Sequence, residues 1–383
     1  MKLFVKGREQ TFELLQQKIQ KGQSYIWIHT ASLGEFEQGV PLIEAWKKKN
    51  PNHQVVWTFF SPSGYEIRKN HHLADIAVYL PLDIPGNVRR YLDCVQPEKV
   101  FFVKYEFWRN YLKELQKRKI PTYLISGIFR EDQLFFKWYG GFYRKILSAF
   151  THFFVQNSQS KELLNSIGKQ NVTIHGDTRF DRVLSFAKQV ESKAEIEQFI
   201  DGKKVIVVGS SWIDDEEQYL PYLNASKNVK WIIAPHDIKE DKIAKLQQAI
   251  QLKSIRYTER VGVDLKDFQV LIIDTIGQLF SIYPYATVSY VGGGFKTGLH
   301  NILETAVFGT PIVIGSNYSK FQEAKDLVAL GGCISVENAE QMHKVFDELL
   351  NDENKRHAIE KINLEYVAKN RHATQKVMEY FTV

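Results

Sequence analysis

The sequence predicts an α/β protein made of two doubly wound domains, each a parallel sheet wrapped by helices. Three observations carry that reading. The chain has 383 residues, which at about 150 residues per domain favours two. Its short apolar runs, rich in Val, Ile, Phe and Tyr, lack polar alternation, as strands covered on both faces of a parallel sheet do. Longer stretches with helical spacing separate them, so β-α units repeat on both sides of a charged helical stretch, Asp181–Ile200.

In the first half the strand candidates are Tyr25–His29, Gln54–Phe60, Ala77–Leu82, Lys99–Val103, Thr122–Ser126 and His152–Gln156. In the second they are Lys204–Gly209, Trp231–Pro235, Val270–Asp274, Thr287–Gly292, Pro311–Gly315 and Cys333–Val336. Phe36–Lys49, Asn87–Val95, Lys239–Gln251 and Asn338–Leu350 read as helices between them. The domains are expected to span 1–200 and 201–383, breaking near Asp201-Gly202. Asp352–Tyr380 reads as one or two terminal helices packing back on the first domain. Ligands of open α/β sheets bind beyond the carboxyl ends of the strands, so the cleft between the halves is the expected workplace.

Composition narrows the classes. Residues 1–185 hold 27 Lys+Arg against 17 Asp+Glu, a balance of +10, while the remainder holds 23 against 27, or −4. A basic first half suits an anionic partner: a phosphorylated lipid, a membrane surface or nucleic acid. The only cysteines, Cys94 and Cys333, match neither a disulfide framework nor a zinc site, which favours a reducing compartment. No run approaches the ~18 to 20 uncharged apolar residues of a membrane span, and Met1–Gln10 lacks a signal-peptide core, so a cytoplasmic chain is expected.

The clearest ligand signal is Val291-Gly292-Gly293-Gly294-Phe295-Lys296-Thr297-Gly298-Leu299-His300-Asn301-Ile302-Leu303-Glu304. A buried strand ends in glycines that let backbone approach a ligand, and a helix is expected to begin around Leu299–Asn301 with N–H groups free for an anion. Asn301 and Glu304 share one helical face and could hold two sugar hydroxyls, although Glu304 would also simply complement the helix dipole. After Tyr25–His29 comes Thr30-Ala31-Ser32-Leu33-Gly34-Glu35-Phe36-Glu37, which leaves Glu35 near a helix N-terminus. A carboxylate there can serve as general base on an alcohol or as a dipole partner. Glu106, in Lys104-Tyr105-Glu106-Phe107-Trp108, is a substrate contact or the partner of Lys104 or Arg109. Phe135–Lys145 interleaves aromatic and basic residues, suited to a membrane interface as well as to core packing. No nucleic-acid motif accompanies it. His236 could meet a phosphate or a base, or be structural; Asp214–Glu217 reads as an acidic first turn. No cluster has metal-ligand spacing.

Taken together, Trp27–Glu35, Tyr105–Trp108, Gly176–Asp181, Ala234–His236, Ile276–Leu279 and Gly298–Glu304 resemble, in order and spacing, the bacterial 3-deoxy-D-manno-octulosonic acid (Kdo) transferases, from about Tyr25 to the C-terminus. The most specific parts are Ser32-Leu33-Gly34-Glu35 and His300-Asn301-Ile302-Leu303-Glu304. The resemblance implies a GT-B glycosyltransferase of lipopolysaccharide biosynthesis. It would move Kdo from CMP-Kdo to a lipid A precursor with inversion, without metal or cofactor. It implies Glu35 as general base, Glu106 and Arg179 assisting the transition state, and Pro235, His236, Ile276, Gly277, Gln278, Asn301, Ile302, Leu303 and Glu304 binding CMP. It further implies peripheral attachment to the cytoplasmic face of the inner membrane and no nucleic-acid partner.

Departures from the pattern are specific. The family's usual Pro-Arg-His is here Ala234-Pro235-His236 without the arginine, Gln278 replaces a common glutamate, and Arg179 replaces a lysine with different hydrogen-bonding geometry. Many members open with a hydrophobic anchor helix, and Met1–Gln10 has no such run, so membrane contact is expected through the basic aromatic surface. The residues alone leave open a GT-B enzyme using a UDP-sugar, transferase or epimerase, and a non-catalytic protein that binds anionic lipid or nucleic acid.

Overall fold

The bare apolar runs become parallel strands in two sheets. The computed structural model describes residues 7–382. The first seven strands are β1 (Tyr25–Thr30), β2 (Gln54–Phe59), β3 (Ile76–Tyr79), β4 (Lys99–Val103), β5 (Thr122–Gly127), β6 (His152–Val155) and β7 (Val172–Ile174). They form one sheet in the order β3-β2-β1-β4-β5-β6-β7. Then follow β8 (Lys204–Ser211), β9 (Val229–Pro235), β10 (Ser254–Arg256), β11 (Val270–Ile272), β12 (Val288–Val291), β13 (Ile312–Gly315) and β14 (Cys333–Val336), ordered β10-β11-β9-β8-β12-β13-β14.

Neighbouring residues of a strand point to opposite faces, and here both faces are cores. Trp27, Val56, Val100 and Phe102 pack on one side of the first sheet; Ile26, Ile28, Val55, Trp57 and Phe101 pack on the other. The second sheet repeats this, with Ile206, Val208, Trp231 and Ile233 on one face and Val205, Val207, Ile232 and Ala234 on the other. Each large side chain so buried contributes about 1.5–3 kcal/mol, which is why these runs carry no polar alternation.

The two strands that sequence periodicity passes over, β7 and β10, are three-residue edge strands with partly exposed side chains. They are too short to hold a period. The stretch 181–200 is two helices, Thr178–Ala187 and Ala194–Ile200.

The chain divides into Met1–Arg182 with the segment from Asn370 onward, and Val183–Lys369. The division therefore lies ahead of Asp201. The reason is packing: Ile196 and Phe199 join the core of Val205, Ile232 and Leu271. The end of the chain is also two helices, Glu353–Lys369 and Ala373–Tyr380. The second belongs to the first unit, where Phe381 lies edge-on to Trp46 at 5.2 Å, Phe101 at 5.8 Å and Tyr123 at 4.8 Å.

The first strand order reverses once; the second has a central reversal and, at one edge, β11 lying between β9 and β10. In the first sheet the reversal lies between β1 and β4, in the second between β8 and β12. Loops leaving the carboxyl ends of strands at such a point diverge and open a crevice, so ligand-binding residues are expected there.

Candidate active site

At the carboxyl end of β1 the chain turns through Ala31 and Ser32 into the helix Leu33–Lys49. Ser32 is extended, with φ −138° and ψ −178°, and Glu35 stands three residues on, the arrangement of a capping box. The Ser32 backbone N–H donates to Glu35 Oε2 at 3.0 Å, and the Ser32 hydroxyl donates to the same oxygen. Glu35 thus has the structural role its position suggested. It engages one oxygen only, and Oε1 takes no hydrogen bond among the described residues.

Across the strand reversal, β4 runs into Lys104, held at φ +65°, and then Glu106. Glu106 pairs with neither Lys104 nor Arg109. His29 Nε2 lies 2.9 Å from Glu106 Oε2, and the Trp108 indole N–H donates to that oxygen at 2.5 Å. The Arg109 guanidinium instead lies 4.5 Å over the Phe142 ring.

Arg179 opens the helix Thr178–Ala187. Its backbone N–H donates to Asp177 Oδ1 at 2.9 Å, while Nε and Nη2 donate to Oδ2 at 2.8 and 2.7 Å. Burial pushes the Asp177 carboxyl up, but the Arg179 guanidinium and its hydrogen bonds outweigh burial and hold it down at about 2. The Gln38 amide donates to Asp177 Oδ1 at 2.8 Å, and the Thr178 hydroxyl donates to the Gln38 carbonyl at 2.7 Å. Gln38 is three residues along Glu35's own helix, so Asp177 ties that helix to Arg179. Tyr105 completes the group. Burial raises its phenol, opposed by Arg130 and Arg179, with Glu35 near enough to add to the rise. The first unit thus gathers Glu35, Glu106 and Arg179 around the ends of β1 and β4.

The second unit builds its own group at the β8/β12 reversal. Asp215 is buried in the first turn of helix Ile213–Ala225. It accepts from Trp212 N–H at 2.8 Å, Gly293 N–H at 2.8 Å and the Tyr290 hydroxyl at 2.6 Å. It is the anchor of the glycine loop, more than an acidic first turn. Gly292 is required by close approach, since a Cβ there would stand 2.5 Å from the Ser210 carbonyl oxygen. His236 follows β9 and stacks on Trp212 at 4.2 Å and on His300 at 4.6 Å. The Trp212 indole donates to His300 Nε2 at 3.0 Å, which leaves the proton of neutral His300 on Nδ1. Burial, with His236 beside it, pulls His300 down to about 4.

The remaining expected nucleotide contacts divide. Asn301 Nδ2 donates to Glu304 Oε1 at 3.1 Å, so the two side chains lie together and bond each other. The helix there is only Leu303–Ala306, beginning later than Leu299–Asn301 and too short for an appreciable dipole, and the Leu303 N–H is taken by Asn301 Oδ1 at 3.2 Å. Ile302 and Leu303 are fully buried, so their side chains serve the core. Pro235 ends β9; Ile276 is exposed, Gly277 has φ +87°, and Gln278 accepts from Lys193 Nζ at 2.7 Å. Among the described residues no group of three His, Cys, Asp or Glu side chains is arranged to hold a metal ion.

Sequence reasoning left His29, Trp212, His300 and Asp177 without a role. A polar residue in an otherwise apolar strand was the available signal for His29. Trp212 and His300 are 88 residues apart, and Asp177, although it pairs with Arg179 two residues on, has its other side-chain partner, Gln38, 139 residues off.

Two doubly wound units, each a seven-stranded parallel sheet, are the architecture of the GT-B fold. The fold is shared with UDP-GlcNAc 2-epimerase of Neisseria meningitidis, at TM-score 0.68 and 16% identity over 94% of this chain and 99% of that one. It is shared also with MurG of Acinetobacter baumannii, at TM-score 0.59 and 11% identity over 93% and 98%. A family model described as 3-deoxy-D-manno-octulosonic-acid transferase (kdotransferase) matches residues 6–182. The 3-deoxy-D-manno-octulosonic acid transferase of Rickettsia typhi is 27% identical over 341 residues, 87% of this chain and 73% of that protein. That of Aquifex aeolicus is 26% identical over 334 residues, 85% and 86% respectively. The chain is thus similar to the bacterial Kdo transferases along most of its length.

Proposed function

We propose that the protein transfers Kdo from CMP-Kdo to a lipid A precursor of the lipid IVA type in lipopolysaccharide biosynthesis, with inversion and without a metal. One observation carries the assignment of the base: Glu35 is held by the Ser32 N–H through a single carboxylate oxygen, beside a strand reversal, and its second oxygen takes no hydrogen bond among the described residues. Glu35 then accepts the proton of the acceptor hydroxyl as that oxygen attacks the anomeric carbon from the face opposite the nucleotide. Glu106 and Arg179 act as fixed charges beside the developing oxocarbenium ion and the sugar acid's carboxylate. The departing cytidylate is anionic. Loop N–H groups following β12, the proton on His300 Nδ1 and the paired Asn301 and Glu304 supply its contacts, with Pro235, His236 and Ile276–Gln278 around the nucleoside.

The acceptor is a lipid, and the first unit presents a surface for it. Trp138 is 90% exposed, with Tyr139, Phe142 and Tyr143 also exposed among Lys137, Arg144 and Lys145. Rings of this kind settle at a lipid interface while the cations meet anionic headgroups. No helix among the described residues is long and apolar enough to cross a membrane, so this reading makes the attachment peripheral.

The test is incubation with CMP-Kdo and lipid IVA, with and without EDTA. Mass analysis should find Kdo-bearing product, CMP release in equal amount and no loss with chelator. Release of UDP from a UDP-sugar instead, with CMP-Kdo untouched, overturns the reading.

A further inference from the structure

The residue behind Glu106 has no assigned part, yet every hydrogen-bonding atom of it is committed. His29, on β1, is wholly buried, and Glu106 beside it has 12% of its side chain exposed. His29 Nδ1 faces the Thr58 hydroxyl at 2.8 Å, and that hydroxyl also receives the Trp27 indole N–H at 2.7 Å. An indole nitrogen only donates, so the Thr58 oxygen is already an acceptor; its own proton has two acceptors in reach, His29 Nδ1 at 2.8 Å and the Ile28 carbonyl at 3.4 Å, and goes to the shorter contact, Nδ1. The proton of neutral His29 then sits on Nε2, aimed at Glu106 Oε2 2.9 Å away. The opposite tautomer would set a lone pair of Nε2 against a carboxylate oxygen. The Trp108 N–H, 3.1 Å from His29 Nε2, therefore goes to Glu106 instead, at 2.5 Å. Trp108 is itself steadied by Phe60, whose ring centroid lies 5.0 Å from its own.

Two N–H donors thus converge on Oε2, and Oε1 of Glu106 takes no hydrogen bond among the described residues. We propose that His29 is a positioning residue for the transfer reaction: through its Nε2–H, backed by Thr58 and Trp27, it fixes the Glu106 carboxylate with Oε1 as the one oxygen turned to substrate. This rests on the reading of Glu106 as an assisting group. His29 does not touch the substrate; it restricts the rotation of a residue that does, as supporting groups around a reactive carboxylate commonly do.

The experiment is a double-mutant cycle on the full chain, with kcat and KM for CMP-Kdo and melting temperature measured for each variant. His29→Leu removes the donor; His29→Gln returns an N–H near the position of Nε2. We expect His29→Leu to lower kcat about 10- to 100-fold with KM for CMP-Kdo changed less than about twofold. His29→Gln should recover most of that loss. In a Glu106→Gln background His29→Leu should cost less than about twofold more, because its effect passes through a group already removed. Should His29→Leu fail to fold, Thr58→Val, which removes the backing hydroxyl, and His29→Gln in both backgrounds carry the same comparison. Losses that multiply, or a folded His29→Leu with unchanged kcat, overturn the proposal while leaving Glu106 in place. A Glu106→Gln enzyme as fast as the parent overturns the reading of Glu106 and the proposal together.

Discussion

Ser32 and Glu35 hold each other: the N–H and hydroxyl of the first donate to one carboxylate oxygen of the second, closing the first turn of the helix that leaves β1. The side chain proposed to take the acceptor's proton is therefore also a helix cap. Its stability role and its chemical role rest on different oxygens, and this makes them separable.

Glu35→Gln keeps an oxygen for the Ser32 N–H and removes the base. Transfer should fall by about 10²- to 10⁴-fold, while the melting temperature and CMP affinity stay close to the parent's. Glu35→Ala should lose the cap as well, lowering stability by about 0.5–2 kcal/mol in denaturant titration. Parent-like turnover by Glu35→Gln removes Glu35 from the mechanism.

Asp177 is buried and accepts from Arg179 and Gln38, so removing its charge takes the anionic acceptor away from both donors. Asp177→Asn should cost about 3–5 kcal/mol, the range for breaking a buried pair. Arg179→Lys keeps the charge but cannot reproduce the paired Nε and Nη2 donation, and is expected to reduce kcat in a protein less destabilised than Asp177→Asn. Calorimetry and steady-state kinetics on both variants check the order.

His175 is satisfied only when neutral. Its Nδ1–H donates to the Val155 carbonyl at 3.0 Å and its Nε2 accepts the Ser126 N–H at 3.4 Å; burial pulls it down to about 4. Its ordinary value is 6.5, so between pH 6.5 and 4 the unfolded chain binds the extra proton and stability falls as pH falls through that window. The limit is about 3 kcal/mol for this one side chain. Melting curves of the parent and His175→Gln from pH 8 to 4 should differ in slope, the variant's dependence being flatter.

In the second unit the Trp212 indole fixes His300 with its proton on Nδ1. Trp212→Phe keeps a ring against His236 and deletes that donor. CMP binding measured by titration calorimetry should weaken by about 2- to 12-fold, the worth of one hydrogen bond. Unchanged affinity would mean that His300 takes no part in holding the nucleotide.

Legibility followed length and burial. β1, β4, β8 and β12 bury both faces over four residues or more, and their apolar runs stood out in the sequence. β7 and β10 did not, because three residues with only one of them buried carry no pattern. Glu35 was legible because its cap partner is three residues away; the surroundings of Glu106 were not, because His29 is 77 residues off and the nearby cations Lys104 and Arg109 were the nearer guess. Asn301 and Glu304 stood out by their spacing, but the sequence did not show that the helix begins only at Leu303 and that the two meet across its start instead of along one helical face.

Local chemistry therefore determined, from the sequence alone, that this chain forms two parallel α/β sheets and that Glu35 stands at the mouth of one strand. Those outcomes depend on neighbours within a turn or a strand. Which polar groups face each other depends on strand order, and only the tertiary structure decided it: setting β1 beside both β2 and β4 is what brings His29, Thr58 and Glu106 into one hydrogen-bonded chain.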